Sequence, residues 1–231
     1  MNATHALDIA IHSLVSPGDP VVISGYEHNS VTRPLYALGA QVRVAASPLF
    51  DPAAAVDAFR RALPGARAAV CTMVSNVFGY LLPVQEIAEL CAAARVPLIV
   101  DASQAAGCVA LDAAALGAAF VAMPGHKGLY GPQGTGLLLC GHEAQPLLEG
   151  GTGSQSLLQH MPQELPDRLE AGTHNMPGIA GLLEGLRFVA EKGIDRIAGH
   201  ERRLAMRAEE QLRGIDGVEL FCEKGFDHQT G

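Results

Sequence analysis

Lys127 has the clearest chemical potential in this sequence, because it is the only lysine before Lys192. It follows an apolar run and lies in the segment Met123–Gly128, beside His126 and between two glycines. Unlike an arginine, a lysine amine can lose its proton when it is desolvated and then attack a carbonyl carbon. The setting therefore predicts Schiff-base chemistry, although this segment taken alone is equally compatible with a solvated loop charge.

Polar side chains of different kinds follow four predicted strands of the chain. The runs and the groups behind them are 21–24 with His28, 68–73 with Asn76, 98–100 with Asp101 and Gln104, and 120–122 with His126 and Lys127. In open parallel sheets, ligands bind beyond the carboxyl ends of the strands. We therefore expect a flat ring, a side-chain amide, a carboxylate and an amine to converge at one edge of the sheet.

Pyridoxal 5'-phosphate needs this set of groups. Its aldehyde needs a lysine, and its ring nitrogen needs a carboxylate that keeps it protonated and makes the ring a better electron sink. Its ring accepts a stacked aromatic side chain, and its phenolic oxygen accepts amide donors. Its phosphate suits the N-terminus of a helix, where free N–H groups and the dipole favour an anion. The segment Asn2–Thr4 begins a predicted helix and supplies such an N-terminus.

Each of these residues also has a purely structural interpretation. Asp101 could form a turn after its strand, and Asn76 could be an ordinary turn asparagine. His28 and Thr4 could cap the helices that follow them. For Thr4 the two roles are compatible with each other.

The elements that must position these groups alternate between strand and helix. Strands are predicted at 21–24, 42–44, 68–71, 98–100 and 120–121, and helices at about 2–15, 31–38, 52–63 and 84–95. This alternation predicts an α/β fold, a mostly parallel sheet sandwiched by helices. We also predict an extra strand at 137–140 that could run antiparallel, a long helical stretch from about 177 to 213, and a final strand at 218–221.

Composition excludes several classes of function. The formal net charge of −8, without a basic run, argues against nucleic acid and anionic membranes as partners. The nine histidines and five cysteines show no metal-ligand spacing, so no metal site is expected. The odd, scattered cysteines are typical of buried small side chains in a reducing compartment, which favours a cytoplasmic location. No secretory signal or membrane span is predicted.

The order of short motifs resembles the class V aminotransferases and is most similar to their cysteine desulfurase-like group. The motifs are Asn2–Thr4, Glu27–Ser30, Ser75–Gly79, Val100–Gln104, Gly125–Lys127, Gly131–Gly136, Gly150–Ser154 and Pro166–Thr173. Each motif alone would be a weak signal. Together they run in the family's order from residue 2 to about residue 190.

The resemblance implies the large domain of a fold-type-I pyridoxal phosphate enzyme. In that family pattern Lys127 holds the cofactor as a Schiff base, and His28 stacks on the ring as a second catalytic residue. Asp101 pairs with the pyridine nitrogen. Asn76 and Gln104 contact the phenolic oxygen.

The phosphate contacts implied by the resemblance involve Thr4 and His126. Thr173 is expected to reach the phosphate of the neighbouring subunit's cofactor, which implies a homodimer with sites at its interface. One position departs from the family pattern, because Pro124 replaces a residue that commonly carries a phosphate-binding hydroxyl. We therefore expect one donor fewer at the phosphate.

The activity implied is removal of sulfur from L-cysteine, giving alanine and a persulfide on the enzyme, with a possible sulfur-acceptor protein as partner. The alternatives are a selenocysteine lyase, a class V aminotransferase or epimerase acting on another small amino acid, or an inactive fragment that binds the cofactor weakly. The family's catalytic cysteine and carboxylate-binding arginine would lie beyond Gly231, and Cys222 does not match that cysteine's setting.

The expected organisation is a cofactor-binding domain at 1–176, connecting helices at 177–213 and the start of a small domain at 214–231. On this interpretation the chain lacks the family's N-terminal arm and is truncated at both ends.

Overall fold

The computed structural model describes residues 1–223 and 225–230. Its helices are α1 Ala3–Leu14, α2 Asn29–Ala37, α3 Pro52–Ala62, α4 Val84–Ala94, α5 Ala113–Leu116, α6 Met176–Lys192 and α7 Ile194–Leu212. Its strands are β1 Pro20–Ser24, β2 Gln41–Ala45, β3 Ala68–Thr72, β4 Leu98–Asp101, β5 Phe120–Pro124 and β6 Gly136–Cys140. The predicted alternation of strands and helices is confirmed, with element ends shifted by a few residues at most.

The six strands form one sheet in the order β2-β1-β3-β4-β5-β6. All pairs from β2 to β5 are parallel, and β6 is antiparallel to β5. The α/β fold with a mostly parallel sheet is therefore confirmed, as is the extra strand at its end. Parallel pairing brings the carboxyl ends of β1, β3, β4 and β5 to one edge of the sheet.

Alternating side chains of the strands feed two hydrophobic clusters, one on each face of the sheet. On β1, Val22 belongs to one cluster, while Val21 and Ile23 belong to the other. The first cluster includes side chains of α3 and α4, and the second includes those of α1 and α2. The sheet is thus covered by helices on both faces, as the continuous apolar strands predict.

Helix α1 connects the site edge with the core. The side chain of Asn2 caps it by accepting a hydrogen bond from the backbone N–H of His5 at 2.9 Å. Its buried residues include Leu7 and Ile11, both fully inaccessible to solvent. The helix packs against β4, β5 and β6. Its N-terminus is therefore held at the sheet edge by the packing of its apolar face.

In the last third of the chain, the helical stretch predicted at about 177–213 consists of two helices, because Gly193 has a φ of 81° and separates α6 from α7. The strand predicted at the end of this region is wrong. Residues 218–221 do not form a strand. A strand needs a hydrogen-bonded neighbour, and within 1–223 and 225–230 this segment has none. Instead Gln229 forms an isolated bridge with Tyr80.

Within the described part of the chain, no helix combines the length and apolarity needed to cross a lipid bilayer. The division into domains at 176 and 213 stays a prediction.

The packing of α1 generates a stability prediction. Leu7→Ala removes a side chain that is 0% exposed, so we expect the free energy of unfolding to fall by about 2–5 kcal/mol. Tyr36→Ala is the control, because Tyr36 is 87% exposed and its loss should change stability by no more than about 0.5 kcal/mol. Urea denaturation followed by circular dichroism measures both. Equal midpoints for the two variants would contradict the assigned position of α1.

Candidate active site

A cavity of about 200 Å³ opens at the carboxyl edge of the sheet. Seven of the eight side chains predicted from sequence line it: Thr4, His28, Asn76, Asp101, Gln104, His126 and Lys127. The lining also contains side chains that the sequence did not single out for a role: Ser30, Thr72, Val74 and Ser103. The predicted groups therefore share one cleft, although their individual roles stay predictions.

Thr173 is the exception, since it lies outside this cavity in an exposed segment just before α6. Its predicted contact was with the cofactor of a neighbouring subunit. A single chain does not test that contact.

Asp101 is the only acidic residue among those that line the cavity in the described chain. It is the last residue of β4 and only 3% exposed. Its Oδ1 accepts a hydrogen bond from the backbone N–H of Ser103 at 2.9 Å, so it does form the turn that the structural interpretation proposed. The turn and the carboxylate's place in the cavity coexist. A buried carboxylate of this kind suits a cationic or N–H partner within the cavity.

His28 is held by the first turn of α2, which it caps. Its Nδ1 accepts a hydrogen bond from the backbone N–H of Ser30 at 3.1 Å. The same nitrogen lies 2.8 Å from the hydroxyl of Ser30, which lies 2.8 Å from the hydroxyl of Thr4. A nitrogen that accepts an N–H bond carries no proton, so in this arrangement the proton of the neutral ring is on Nε2. Capping thus fixes the ring's orientation at the cavity.

Sequence reasoning gave Ser30 no role of its own. The sequence feature that could have identified Ser30 is its position, two residues after a histidine at a predicted helix start.

The N-terminus of α1 forms part of the cavity wall. Asn2, Ala3 and Thr4 all line the cavity. Within the first turn, the backbone N–H of His5 goes to the side chain of Asn2 and that of Ala6 to its carbonyl. The N–H groups of Ala3 and Thr4 precede them and have no carbonyl partner within the helix. This geometry favours a bound phosphate.

The turn that carries Lys127 is fixed by close backbone packing. A Cβ on Gly107 would lie 1.8 Å from the carbonyl oxygen of Gly128, so the two segments touch at their main chains. Gly125 donates its N–H to the carbonyl of Thr135 at 3.0 Å, and Gly131 donates to the carbonyl of Gly125 at 2.7 Å. The glycine-rich segment from 131 to 136 therefore supports the Lys127 turn.

The side chain of Lys127 itself is exposed. Burial therefore does not desolvate this amine in the single chain. Pro124 ends β5 and lines the cavity without a hydroxyl, as its type requires.

None of the cysteines lines this cavity. Burial raises the pKa of the Cys91 thiol to about 12 and that of Cys108 to about 11, and it raises the pKa of Cys71 well above its usual value. Because the thiolate is the nucleophile, these three thiols are poor nucleophiles at neutral pH. Across residues 1–223 and 225–230, no three histidine, cysteine or acidic side chains converge as a metal site would require.

Comparison with known proteins identifies relatives whose similarity extends over nearly the whole chain. The sequence model of the family described as aminotransferase class-V matches residues 1–230. A probable cysteine desulfurase from Methanothermobacter thermautotrophicus is 32% identical over 95% of this chain. A probable cysteine desulfurase from Pyrococcus abyssi is also 32% identical, over 96% of this chain. The chain spans 58% of the length of each of these two relatives.

Two solved structures that are named cysteine desulfurases share the fold of this chain. The apo cysteine desulfurase from Thermococcus onnurineus superposes with a TM-score of 0.85 at 27% identity, covering 99% of this chain and 60% of that one. The cysteine desulfurase CsdA from Escherichia coli superposes with a TM-score of 0.83 at 27% identity, covering 95% of this chain and 58% of that one.

The contact between Gly107 and Gly128 generates a prediction with a matched control. Gly107→Ala and Gly18→Ala place a side chain at similar left-handed backbone angles, φ 90° and 84°, but only the first meets other atoms. We expect Gly107→Ala to be less stable than Gly18→Ala by about 1–3 kcal/mol, because the Gly128 backbone must move. Urea denaturation measures the difference. Amide hydrogen exchange should also accelerate in residues 125–131 of Gly107→Ala and stay unchanged there in Gly18→Ala.

Proposed function

Because this chain belongs to the aminotransferase class-V family, we propose that it binds pyridoxal 5'-phosphate and forms the cofactor-binding part of a cysteine desulfurase. The observation that carries the proposal is the shared cavity of Asp101 and Lys127, with the N-terminus of α1 in its wall. The donor set fits the cofactor: an amine for the aldehyde, a buried acid for the ring nitrogen and helix N–H groups for the phosphate. When bound, the cofactor supplies an electron sink for charge that develops on an amino-acid substrate.

The chain's own residues would hold the cofactor from several sides. Lys127 Nζ would bond covalently to the aldehyde carbon, and Asp101 would keep the ring nitrogen protonated. His28 would stack on the ring, since capping of α2 fixes its orientation. Asn76 and Gln104 would donate to the phenolic oxygen from the rim of the cavity.

The phosphate would lie at α1, where Thr4 and the first backbone N–H groups face the cavity. His126 would add a second side-chain contact. Thr173 would contribute to the site of a second copy of the chain, which makes a homodimer part of the proposal.

The proposed substrate is L-cysteine, because relatives from several organisms carry the name cysteine desulfurase. The reaction would break the carbon–sulfur bond and leave alanine. A thiol would take up the sulfur and could pass it to an acceptor protein. Among the described residues that line the cavity there is no cysteine, so the proposal does not assign that thiol to one of them.

Cofactor attachment gives the direct test. Wild-type protein mixed with pyridoxal phosphate should develop a visible absorbance band, and borohydride should fix the cofactor to the peptide that contains Lys127. Lys127→Ala should lose the band and the labelled peptide, because no other amine lines the cavity in the described chain. Lys192→Ala is the matched control, since Lys192 ends α6 and lies outside the cavity. A band that survives in Lys127→Ala refutes the proposed attachment site.

The substrate is tested by incubating cofactor-loaded protein with L-cysteine and dithiothreitol. Each cysteine consumed should yield one alanine and one sulfide, while dithiothreitol is oxidised to its disulfide. Alanine is measured by chromatography and sulfide by a colorimetric assay. A keto acid in place of alanine would indicate an aminotransferase instead.

A further inference from the structure

Glu27 lies in the turn between β1 and α2, and its carboxyl group joins two strands. Its Oε1 accepts a hydrogen bond from the hydroxyl of Ser24 at 2.5 Å and another from the backbone N–H of Thr72 at 2.7 Å. The hydroxyl of Ser24 in turn accepts from the N–H of Tyr26 at 3.1 Å. One carboxyl oxygen therefore ties this turn to the end of β1 and to the end of β3.

This connection bears directly on the position of His28. His28 follows Glu27 in the chain, and Thr72 lies opposite Asp101 in the register of β3 and β4. Thr72, His28 and Asp101 all line the cavity, whereas Glu27 is not among its lining residues. The bond from Thr72 to Glu27 thus fixes the histidine turn relative to the strand beside Asp101.

The second oxygen of Glu27 has no such partner. Oε2 is buried and makes no hydrogen bond, and no cation forms an ion pair with Glu27 within residues 1–223 and 225–230. The ionisable groups that interact with Glu27 are Asp101 on β4 and Cys71 on β3, and neither is a cation. A buried charge without a partner costs much more free energy than a buried neutral acid.

The electrostatics agree with this geometry. Burial is the main cause that raises the pKa of Glu27 to about 7, and the negative charge of Asp101 contributes in the same direction, while the hydrogen bonds from Ser24 and Thr72 oppose the rise. The same group has an ordinary pKa of 4.5 when it is solvated.

We propose that Glu27 is a positioning residue whose carboxyl group is neutral in mildly acidic solution. In that form it fastens the His28 turn to β3 without placing a second negative charge close to Asp101. The effect of Glu27 on cofactor binding rests on the proposed function. The protonation of Glu27 and its effect on the fold do not.

The first test needs no cofactor. A raised pKa in the folded state means that the proton on Glu27 stabilises the fold. This contribution to stability is fully present below about pH 4.5 and is lost as the pH rises through about 7. The folding equilibrium constant of the wild type should therefore fall between pH 5 and pH 8 by roughly two orders of magnitude relative to that of Glu27→Gln. Glutamine keeps the Oε1 acceptor and cannot ionise.

Glu210→Gln is the matched control, because Glu210 is exposed on α7. Its stability should follow that of the wild type at every pH. If Glu27→Gln also follows the wild type across this window, Glu27 is ionised throughout and the proposal is wrong.

A second measurement covers the case in which Glu27→Gln does not fold. Carboxyl ¹³C NMR of the wild type should show one glutamate resonance that titrates near pH 7. If every glutamate resonance titrates in the ordinary acidic range, the proposal is overturned without any variant.

The positioning role is tested by adding pyridoxal phosphate at pH 6. Glu27→Gln should bind it within about threefold of the wild type, while Glu27→Ala should bind at least tenfold more weakly because the His28 turn is released. Equal binding by Glu27→Ala and the wild type overturns the positioning role. If the wild type itself binds no cofactor, the proposed function fails, and the stability and NMR measurements still decide the state of Glu27.

Discussion

Parallel pairing of β1, β3, β4 and β5 is the constraint on which the candidate site depends. Each of these strands ends at the same edge, so side chains that are far apart in sequence arrive within one cavity. The pairing is fixed by burial on both faces, since a slip of one residue would exchange the two sets of apolar side chains. The positions of the candidate-site side chains and the packing of the core therefore depend on the same strand register. A change that disturbs one disturbs the other.

Around that edge, the site is built from backbone contacts as much as from side chains. The Lys127 turn is held by the close approach of Gly107 and Gly128 and by main-chain bonds to the segment from 131 to 136. The His28 turn is held by a helix cap on one side and by the carboxyl group of Glu27 on the other. Both turns are thus defined by contacts within the chain itself, which would lower the ordering cost of binding a ligand there.

Much of this arrangement could be predicted from the sequence, because the carboxyl ends of parallel strands lie at the same edge of a sheet. The apolar runs located β1, β3, β4 and β5, and the polar residues after them gave seven of the side chains that line the cavity. Other features depend on contacts that no local pattern encodes. Residues 218–221 look like a strand but lack a neighbour, and the connection from Glu27 to Thr72 spans 45 residues. The exposure of Lys127 likewise depends on what surrounds the turn, not on its own sequence.

Helix α1 precedes in the chain the strands β4 to β6 that it packs against, and these strands end as late as Cys140. Until those strands leave the ribosome, the apolar face of α1 has no sheet to cover. Contacts of such long sequence separation form slowly, since a large loop must close before they are rewarded. The cavity wall formed by the N-terminus of α1 is therefore expected to be completed among the last steps of folding, and the nascent chain to need protection from aggregation until then.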